Sequence, residues 1–226
     1  LITDEEMPDA VKLIWDLYKL GADGFIIQDL GLLEQKLPPV SLFASTQMHN
    51  NNWEKILFLE NIGFKRVILP REFSLEDIKL VRSKTNIELE CFIHGALCVS
   101  YSGQCYLSYA IGGRSANRGE CAQPCRKQYS LKDSNGNYII KDKYLLSLKD
   151  LNLSKYLEDL IDAGITSFKI EGRLKDECYI KNIVAFYRLQ IDKILDKKGL
   201  KRSSAGKSIL NFDPDPYKTF NRGYTN

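Results

Sequence analysis

The chain has 226 residues, and its 32 Lys and Arg against 29 Asp and Glu give a formal net charge of +3. Hydrophobic residues make up 44% and charged residues 27%, which excludes a mostly disordered chain. No run of about 18 uninterrupted apolar residues occurs, so we expect no transmembrane helix and no membrane partner. The acidic residues 4–6 are unlike a signal peptide, and we expect a cytoplasmic protein.

One pattern occurs three times along the chain: an amphipathic stretch, a glycine and a short apolar run. The amphipathic stretches are residues 10–20, 53–61 and 151–162, and the glycines that follow them are Gly21, Gly63 and Gly164. The pattern predicts a helix, a C-cap residue with positive φ, and a buried parallel strand. Residues 41–45 and 87–93 are two further strand candidates.

Repeated strand–helix units predict an α/β fold, here a TIM-barrel-like parallel sheet whose strands end in polar residues. Five strand candidates do not close an eight-stranded barrel. We therefore expect an incomplete barrel that lacks early strand–helix units, with an open doubly wound sheet as the alternative. An open sheet edge would allow a protein partner or self-association.

Residues 96–128 interrupt the pattern with a Gly- and Cys-rich loop insertion, which is long enough to need an internal cross-link.

Asn135-Gly136 predicts a hairpin turn between residues 128–132 and 138–141. Residues 177–198 read as a long helix, and residues 197–207 as a polar linker. We divide the chain into a partial barrel over 1–198 and a linker with the start of a following segment over 199–226.

The six cysteines favour a metal site over disulfides, because five of them fall within residues 91–125 and nothing indicates export. Four of them, Cys98, Cys105, Cys121 and Cys125, have a spacing that is less regular than that of zinc ribbons. Iron–sulfur clusters tolerate such spacing and prefer four thiolates. From spacing alone, an iron–sulfur cluster, a zinc ion and buried free thiols all remain open.

Several segments closely resemble the signature of the peptidase U32 family, which is also called the collagenase-like protease family. They are ECFIHGALC at 90–98, YSGQCYLS at 101–108, GRSANRGECAQPCR at 113–126, FKIEGRLK at 168–175 and FNRG at 220–223. The segment at 113–126 is most similar to the branch linked to cytidine hydroxylation in large-subunit ribosomal RNA. Related branches act in tRNA uridine hydroxylation and in ubiquinone hydroxylation.

The resemblance implies a TIM-like barrel and a [4Fe–4S] cluster, with zinc as the alternative cofactor. The implied ligands are Cys98, Cys105, Cys121 and Cys125. Cys178 is an alternative fourth ligand, since some family members use a more distant cysteine. Cys91 lies inside a strand candidate, where a free cysteine behaves as a small hydrophobe.

Polar residues that follow strand candidates are the predicted catalytic groups, because active sites of barrels lie at that face. They are His94, Glu171 and Arg173, and His49 has a weaker claim. A hydrogen-bonded structural histidine and a structural ion-pair network are the alternatives. The predicted substrate-binding residues are Arg114, Arg118, Arg126 and Lys175, since Arg and neighbouring tyrosines can hold RNA. The alternative for the arginines is a solvated surface.

These observations predict a U32-type iron–sulfur protein that takes part in hydroxylation of an RNA base, in rRNA or tRNA. A collagenase-like peptidase is the first alternative. It has little chemical support, since the sequence contains no G-x-S-x-G or H-E-x-x-H and only two histidines. The second alternative is a non-enzymatic scaffold that binds RNA or protein around a structural cluster.

Overall fold

The computed structural model describes residues 1–202, 206 and 208–225, and its contacts divide them into two compact units. The first unit consists of Leu1–Glu90 and Cys98–Ser147. The second consists of Cys91–Leu97 and the chain from Leu148 onward. None of the helices in the described part of the chain is long and apolar enough to cross a membrane.

The first unit has parallel strands with helices between them. Its helices are α1 (Met7–Lys19), α2 (Trp53–Asn61), α3 (Leu75–Lys84) and α4 (Leu107–Gly112). Its strands are β1 (Gly24–Ile27), β2 (Ser41–Ala44), β3 (Arg66–Ile68) and the first residues of β4 (Glu88–Ala96), paired in that order and all parallel. A separate antiparallel hairpin joins β5 (Tyr129–Lys132) and β6 (Tyr138–Lys143).

The core of the first unit follows directly from the strand register. Ile27 lies opposite Ala44, Ala44 opposite Val67, and Val67 opposite Leu89. All four residues are buried, so one row of apolar side chains runs across the sheet. Burial of each of the three larger side chains contributes roughly 1.5–3 kcal/mol, and this row therefore stabilises the register of the four strands.

The second unit is built around the later residues of β4. Its other strands are β7 (Asp150–Asn152), β8 (Ile165–Ile170) and β9 (Tyr224–Thr225), and its helices are α5 (Leu157–Asp162) and α6 (Glu177–Lys198). β4 pairs with β7 in antiparallel orientation and also with β8. β7 pairs with β9 in parallel orientation. The fold is thus mixed α/β with mostly parallel strand pairs.

Local sequence signals account for the helix ends. The side chains of Asn52 and Asp176 accept hydrogen bonds from the first turns of α2 and α6, and Ser74 forms a capping box with Asp77 at α3. The predicted C-cap glycines are confirmed: Gly21, Gly63 and Gly164 have φ values of 95°, 104° and 89°. The predicted helices at 53–61 and 177–198 and the predicted hairpin are confirmed as well.

The predicted helix over residues 151–162 is wrong at its start. Asp150–Asn152 forms strand β7, a 3-10 turn covers Ser154–Tyr156, and the helix begins only at Leu157. The apolar spacing of this segment fits a helix, but Leu151 is buried between β4 and β9, and pairing on both sides decides the conformation. The antiparallel β4–β7 pair also departs from the predicted all-parallel sheet.

The predicted boundary between residues 198 and 199 differs from the points at which the chain passes between the two units. Residues 208–225, which we expected to follow a linker, belong to the second unit and supply β9. Most of the serine-rich part of the predicted linker, residues 203–205 and 207, lies outside the described residues. The domain division itself stays a prediction for the whole protein.

We predict that Gly95→Ala destabilises the protein far more than Gly21→Ala. Both glycines have positive φ, but a Cβ at Gly95 would lie 2.4 Å from the backbone oxygen of Glu171, whereas a Cβ at Gly21 meets nothing within 4 Å. We expect a loss of about 3 kcal/mol in the free energy of unfolding for Gly95→Ala and about 1 kcal/mol for Gly21→Ala. Chemical denaturation measures both, and equal losses would contradict the close approach of β4 to residue 171.

Candidate functional site

The cysteine-rich loop of the first unit is anchored on polar residues that follow β2 and β3. Ser102, which is buried, donates to both carboxylate oxygens of Glu72, from its backbone N–H at 2.9 Å and from its hydroxyl at 3.0 Å. Its carbonyl oxygen lies 2.9 Å from Nδ1 of His49. The next residue, Gly103, packs so closely that a Cβ would lie 2.2 Å from the carbonyl oxygen of Gln47. The loop therefore sits at the carboxyl ends of these two strands.

The four predicted metal ligands belong to this loop, and all are free thiols. Cys98 is exposed, whereas Cys105, Cys121 and Cys125 are half-buried. Burial raises the pKa of the Cys125 thiol, Arg126 opposes the shift, and Cys98, Cys121 and Cys105 reinforce it. The other three sulfurs are thus near enough for their charge to act on Cys125. Among the described residues, however, no three His, Cys, Asp or Glu side chains are already arranged to hold a metal ion.

Three of the predicted substrate-binding residues lie in the same loop and bond to the protein itself. Nε of Arg114 donates to the carbonyl oxygen of Glu120 at 3.0 Å. Arg118 forms an ion pair with Glu6 at 2.7 Å. Nη1 of Arg126 donates to the Ser147 hydroxyl at 2.8 Å. A second nitrogen of Arg118, Nη1, donates to the Leu1 carbonyl oxygen at 2.9 Å, so these arginines hold the loop through bonds within the protein.

The second unit contains a buried polar cluster centred on His94, which we call the His94 cluster: His94, Asp150, Tyr179, Tyr187 and Tyr224. Only 1% of the His94 side chain is exposed. Its Nδ1 lies 3.1 Å from the Tyr187 hydroxyl and its Nε2 lies 3.4 Å from the Tyr224 hydroxyl. The ring of Tyr179 packs at a centroid distance of 6.2 Å. Two tyrosine hydroxyls therefore face the two ring nitrogens.

Hydrogen-bond partners surround both ring nitrogens of His94. The Tyr187 hydroxyl donates to the Ile93 carbonyl oxygen at 2.9 Å or to Asn152 Oδ1 at 3.1 Å. The Tyr224 hydroxyl donates to the Pro216 carbonyl oxygen at 2.8 Å. Both tyrosine oxygens therefore offer lone pairs to the ring, and the neutral ring donates its one proton to either of them.

Electrostatics keep His94 neutral at physiological pH. Burial lowers its pKa from 6.5 to about 4, Asp150 opposes this shift, and Lys175 adds to it. Asp150 is itself buried and forms an ion pair with Arg222 at 3.1 Å. Burial also raises the pKa of Tyr224 to about 12, so its hydroxyl keeps its proton. That proton is donated to the Pro216 carbonyl oxygen at 2.8 Å, so neutral His94 is the member of the pair Tyr224–His94 that can accept a proton.

The other predicted residues of this unit lie beside the cluster. The backbone N–H of Glu171 donates to the His94 carbonyl oxygen at 2.8 Å. Arg173 is exposed, and its backbone N–H donates to Glu171 Oε1 at 3.0 Å. Nζ of Lys175 lies 4.2 Å from the ring centroid of Phe220 and 4.7 Å from that of Tyr179. The structure thus brings His94, Glu171 and Lys175 together, with the Arg173 side chain directed at the surface.

A cavity of about 550 Å³ opens next to the His94 cluster, within the second unit. Asn152 and Tyr224 line it and also belong to the hydrogen-bond network of His94. Its remaining wall comes from residues 154 and 155, from Phe186 on α6, and from the segment after α6, including Asp213, Asp215 and Tyr217. This volume lies in the range of small-ligand sites, roughly 300–1,000 Å³.

Sequence reasoning missed the residues that connect His94 to this cavity. Tyr179, Ile183 and Tyr187 are spaced by four along α6 and are all buried, so helical periodicity could have predicted one inward face. Arg222 lies in the FNRG segment, which we had recognised without assigning it a role. No local signal links Asp150 or Asn152 to His94, because their contacts depend on the antiparallel register of β4 and β7.

Comparison with known proteins identifies one family and several named relatives. The model of peptidase family U32 matches residues 1–226. A protein named as a 23S rRNA 5-hydroxycytidine synthase, from Escherichia coli (strain K12), is 49% identical over 226 residues, which are 100% of this chain and 35% of that protein.

Two further relatives carry different names. A tRNA hydroxylation protein P1 from Bacillus subtilis (strain 168) is 38% identical over 195 residues, which cover 82% of this chain and 46% of that protein. A protein named as an uncharacterized protease from Methanocaldococcus jannaschii is 38% identical over 212 residues, which cover 89% of this chain and 50% of that protein. The chain thus spans half or less of the length of these three relatives.

We predict that Gly103→Ala loosens the cysteine-rich loop and that Gly113→Ala, in the same loop, does not. Both residues have positive φ, but only the Gly103 position is blocked, by the backbone of Gln47. Both variants place an alanine at positive φ and share that cost. We expect Gly103→Ala to lower the free energy of opening the loop by about 2 kcal/mol more than Gly113→Ala does. Limited proteolysis within residues 98–127 measures this opening, and equal cleavage of the two variants would contradict the anchoring.

We predict that stability falls with acid because His94 is held neutral. The folded-state pKa is about 4 and the ordinary value is 6.5, so protonation favours the unfolded chain as the pH falls between these values. The free energy of unfolding should drop by on the order of 2 kcal/mol from pH 7 to pH 4.5. His94→Gln removes this titration, and a pH dependence identical to that of the native protein would show that His94 is not its source.

Proposed function

The chain belongs to peptidase family U32, and on this basis we propose that it is part of an iron–sulfur-dependent enzyme that takes part in hydroxylating an RNA base. One observation carries the proposal. Four free cysteines lie on a loop that is anchored at the carboxyl ends of β2 and β3, where barrel enzymes have their active sites. The names of the rRNA and tRNA relatives supply the reaction and the substrate class.

The donor set of the loop fits a [4Fe–4S] cluster. Cys98, Cys105, Cys121 and Cys125 offer four thiols, none of them is in a disulfide, and three of them act electrostatically on the fourth. Because metal binding contributes the free energy that closes such loops, the sulfurs need not be at ligand distance beforehand. When bound, a cluster of this kind supplies one-electron transfer. Zinc remains the alternative occupant.

Exposed aromatic and basic side chains on the loop fit an RNA substrate. Tyr101, Tyr106 and Tyr109 are each more than half exposed and offer rings on which RNA bases can stack. Arg114, Arg118 and Arg126 follow them in the sequence and serve as phosphate contacts in this proposal. Their intraprotein hydrogen bonds pre-organise the guanidinium groups.

The proposal assigns the proton-handling groups to the second unit. In this proposal neutral His94 accepts a proton, and Tyr224, whose hydroxyl donates to the Pro216 carbonyl oxygen and lies 3.4 Å from Nε2, positions it. Glu171 holds the His94 backbone through its own N–H and orients the exposed Arg173, whose side chain contacts the RNA backbone. Lys175, held between Phe220 and Tyr179, adds positive charge beside the cluster.

The proposal also includes a TIM-type barrel in the whole protein. The parallel order β1-β2-β3-β4 supports it, since this is the repeating arrangement of such barrels. Within the described chain β1 pairs only with β2, and Ile26 on β1 is 51% exposed. Another strand, from elsewhere in the protein or from a partner, covers this edge in the proposed assembly.

Peptidase activity is the second candidate, because one relative is named as a protease. Serine and cysteine peptidases need a histidine in hydrogen-bond contact with the nucleophile. Among the described residues, the ring nitrogens of His49 and His94 contact only the Ser102 carbonyl oxygen and two tyrosine hydroxyls. The geometry therefore favours hydroxylation over this type of proteolysis.

We predict that Cys105→Ser abolishes both iron binding and RNA hydroxylation, whereas Cys178→Ser preserves them. Cys178 is an exposed cysteine at the start of α6 and is the matched control. Full-length protein purified without oxygen should contain about four iron atoms and about four sulfides per chain, and Cys105→Ser should contain almost none. Mass spectrometry of nucleosides, from cells that express each variant in place of the native protein, measures the added oxygen.

Three results would contradict this proposal. One tightly held zinc ion per chain, without iron, would replace the cluster by a zinc site. Loss of iron without loss of hydroxylation would leave the cluster a structural role and favour the scaffold hypothesis. Cleavage of gelatin by the purified protein, with no base modification in cells, would favour the peptidase.

A further inference from the structure

We infer that the cavity beside Tyr224 is the binding site for one unstacked nucleobase of single-stranded RNA. The inference deepens the proposed function, on which it rests, by assigning the base to residues that the sequence motifs do not mark. It is carried by four properties of the cavity wall: an aromatic corner, a fixed amide donor, two unpaired lysines, and a direct connection to His94.

The aromatic corner is formed by Tyr217 and Tyr224. Their rings are 5.1 Å apart between centroids and nearly perpendicular, at 85°. Tyr224 is held in place, because its hydroxyl donates to the Pro216 carbonyl oxygen at 2.8 Å. Tyr217 is 71% exposed and has one free ring face. A flat heteroaromatic ring can stack on Tyr217 while its edge meets the face of Tyr224.

The fixed amide donor is Asn152. Its Oδ1 accepts hydrogen bonds from the Ser154 N–H and from the Tyr187 hydroxyl, both at 3.1 Å. Because the oxygen is occupied by the protein, the NH₂ group is the part of the side chain that remains to donate in the cavity. Ring carbonyl oxygens of nucleobases are matching acceptors. The carboxylate of Asp213, also on the wall, can accept from an exocyclic amino group in the same way.

Lys155 and Lys218 bring positive charge to the cavity rim. Both are exposed, and neither forms an ion pair with another described residue. Free ammonium groups at the edge of an aromatic site are suited to the phosphates on either side of a bound base. An alkylammonium ligand would also favour an aromatic corner, but Asp213 and Asp215 on the same wall balance the two lysines, so the cavity offers no net charge to attract it.

The connection to His94 places the bound base next to the proton-handling pair. Tyr224 lines the cavity with its ring and meets Nε2 of His94 with its hydroxyl. Asn152 lines it and shares the Tyr187 hydroxyl with His94. A base in the cavity would therefore contact two members of the network around His94. This is the arrangement that chemistry on an extruded base requires.

The test uses full-length protein and two short single-stranded probes: an oligocytidine, and an abasic ribose–phosphate oligomer of equal length and charge. Native protein should bind the oligocytidine more tightly. Tyr217→Ala should weaken oligocytidine binding about tenfold and leave abasic binding unchanged. Tyr217→Phe should restore the loss, because it keeps the ring. Lys218→Ala should weaken both probes alike, and Tyr144→Ala, an exposed tyrosine of the first unit, should change neither.

The inference is overturned if native protein does not distinguish the two probes, or if Tyr217→Ala binds oligocytidine as native protein does. It is also overturned if Tyr217→Ala retains full hydroxylation in cells. These failures are separate from a failure of the proposed function, which would appear as absence of iron or of hydroxylation in the native protein itself. Iron content should be unchanged in every variant at residue 217.

Discussion

Polar groups that a protein buries must find partners inside it, and this requirement shapes the functional parts of both units. In the first unit, buried Ser102 uses all three of its polar groups on Glu72 and His49. In the second, buried His94 uses both ring nitrogens on tyrosines, and buried Asp150 uses Arg222. The side chains that the sequence marks as reactive are therefore held by a network rather than by apolar packing alone.

The residues that hold the loop and the His94 cluster in place are different from the residues that face a ligand. The cysteine-rich loop is anchored through Ser102 and Gly103, and its four cysteines are not in disulfides. Likewise, the His94 cluster fixes Tyr224 and Asn152 from behind, and their other sides line the cavity. Pre-organised groups of this kind cost little reorganisation when a substrate binds.

The family name and the geometry point to different chemistry. A peptidase needs an activated nucleophile, whereas here one histidine is neutral, buried and surrounded by tyrosines, and the other bonds to a backbone carbonyl. A buried neutral imidazole held between two tyrosine hydroxyls is not placed to activate a serine or cysteine nucleophile. The chemistry of the site is thus more readily reconciled with the relatives named for RNA hydroxylation than with the relative named as a protease.

Features that depend on neighbouring residues can be read from the amino-acid sequence alone. Helices α2 and α6, the three C-cap glycines, the hairpin and the four-cysteine loop follow from capping, φ preference and spacing, which act within a few residues. Three outcomes required the folded chain: that Asp150–Asn152 is a strand, that His94 is neutral, and that a cavity adjoins it. They depend on contacts between residues 54 to 130 positions apart, such as Ala96 with Asp150 and His94 with Tyr224. Local periodicity carries no information about such contacts, because strand pairing and burial, rather than the segment's own preference, select the conformation.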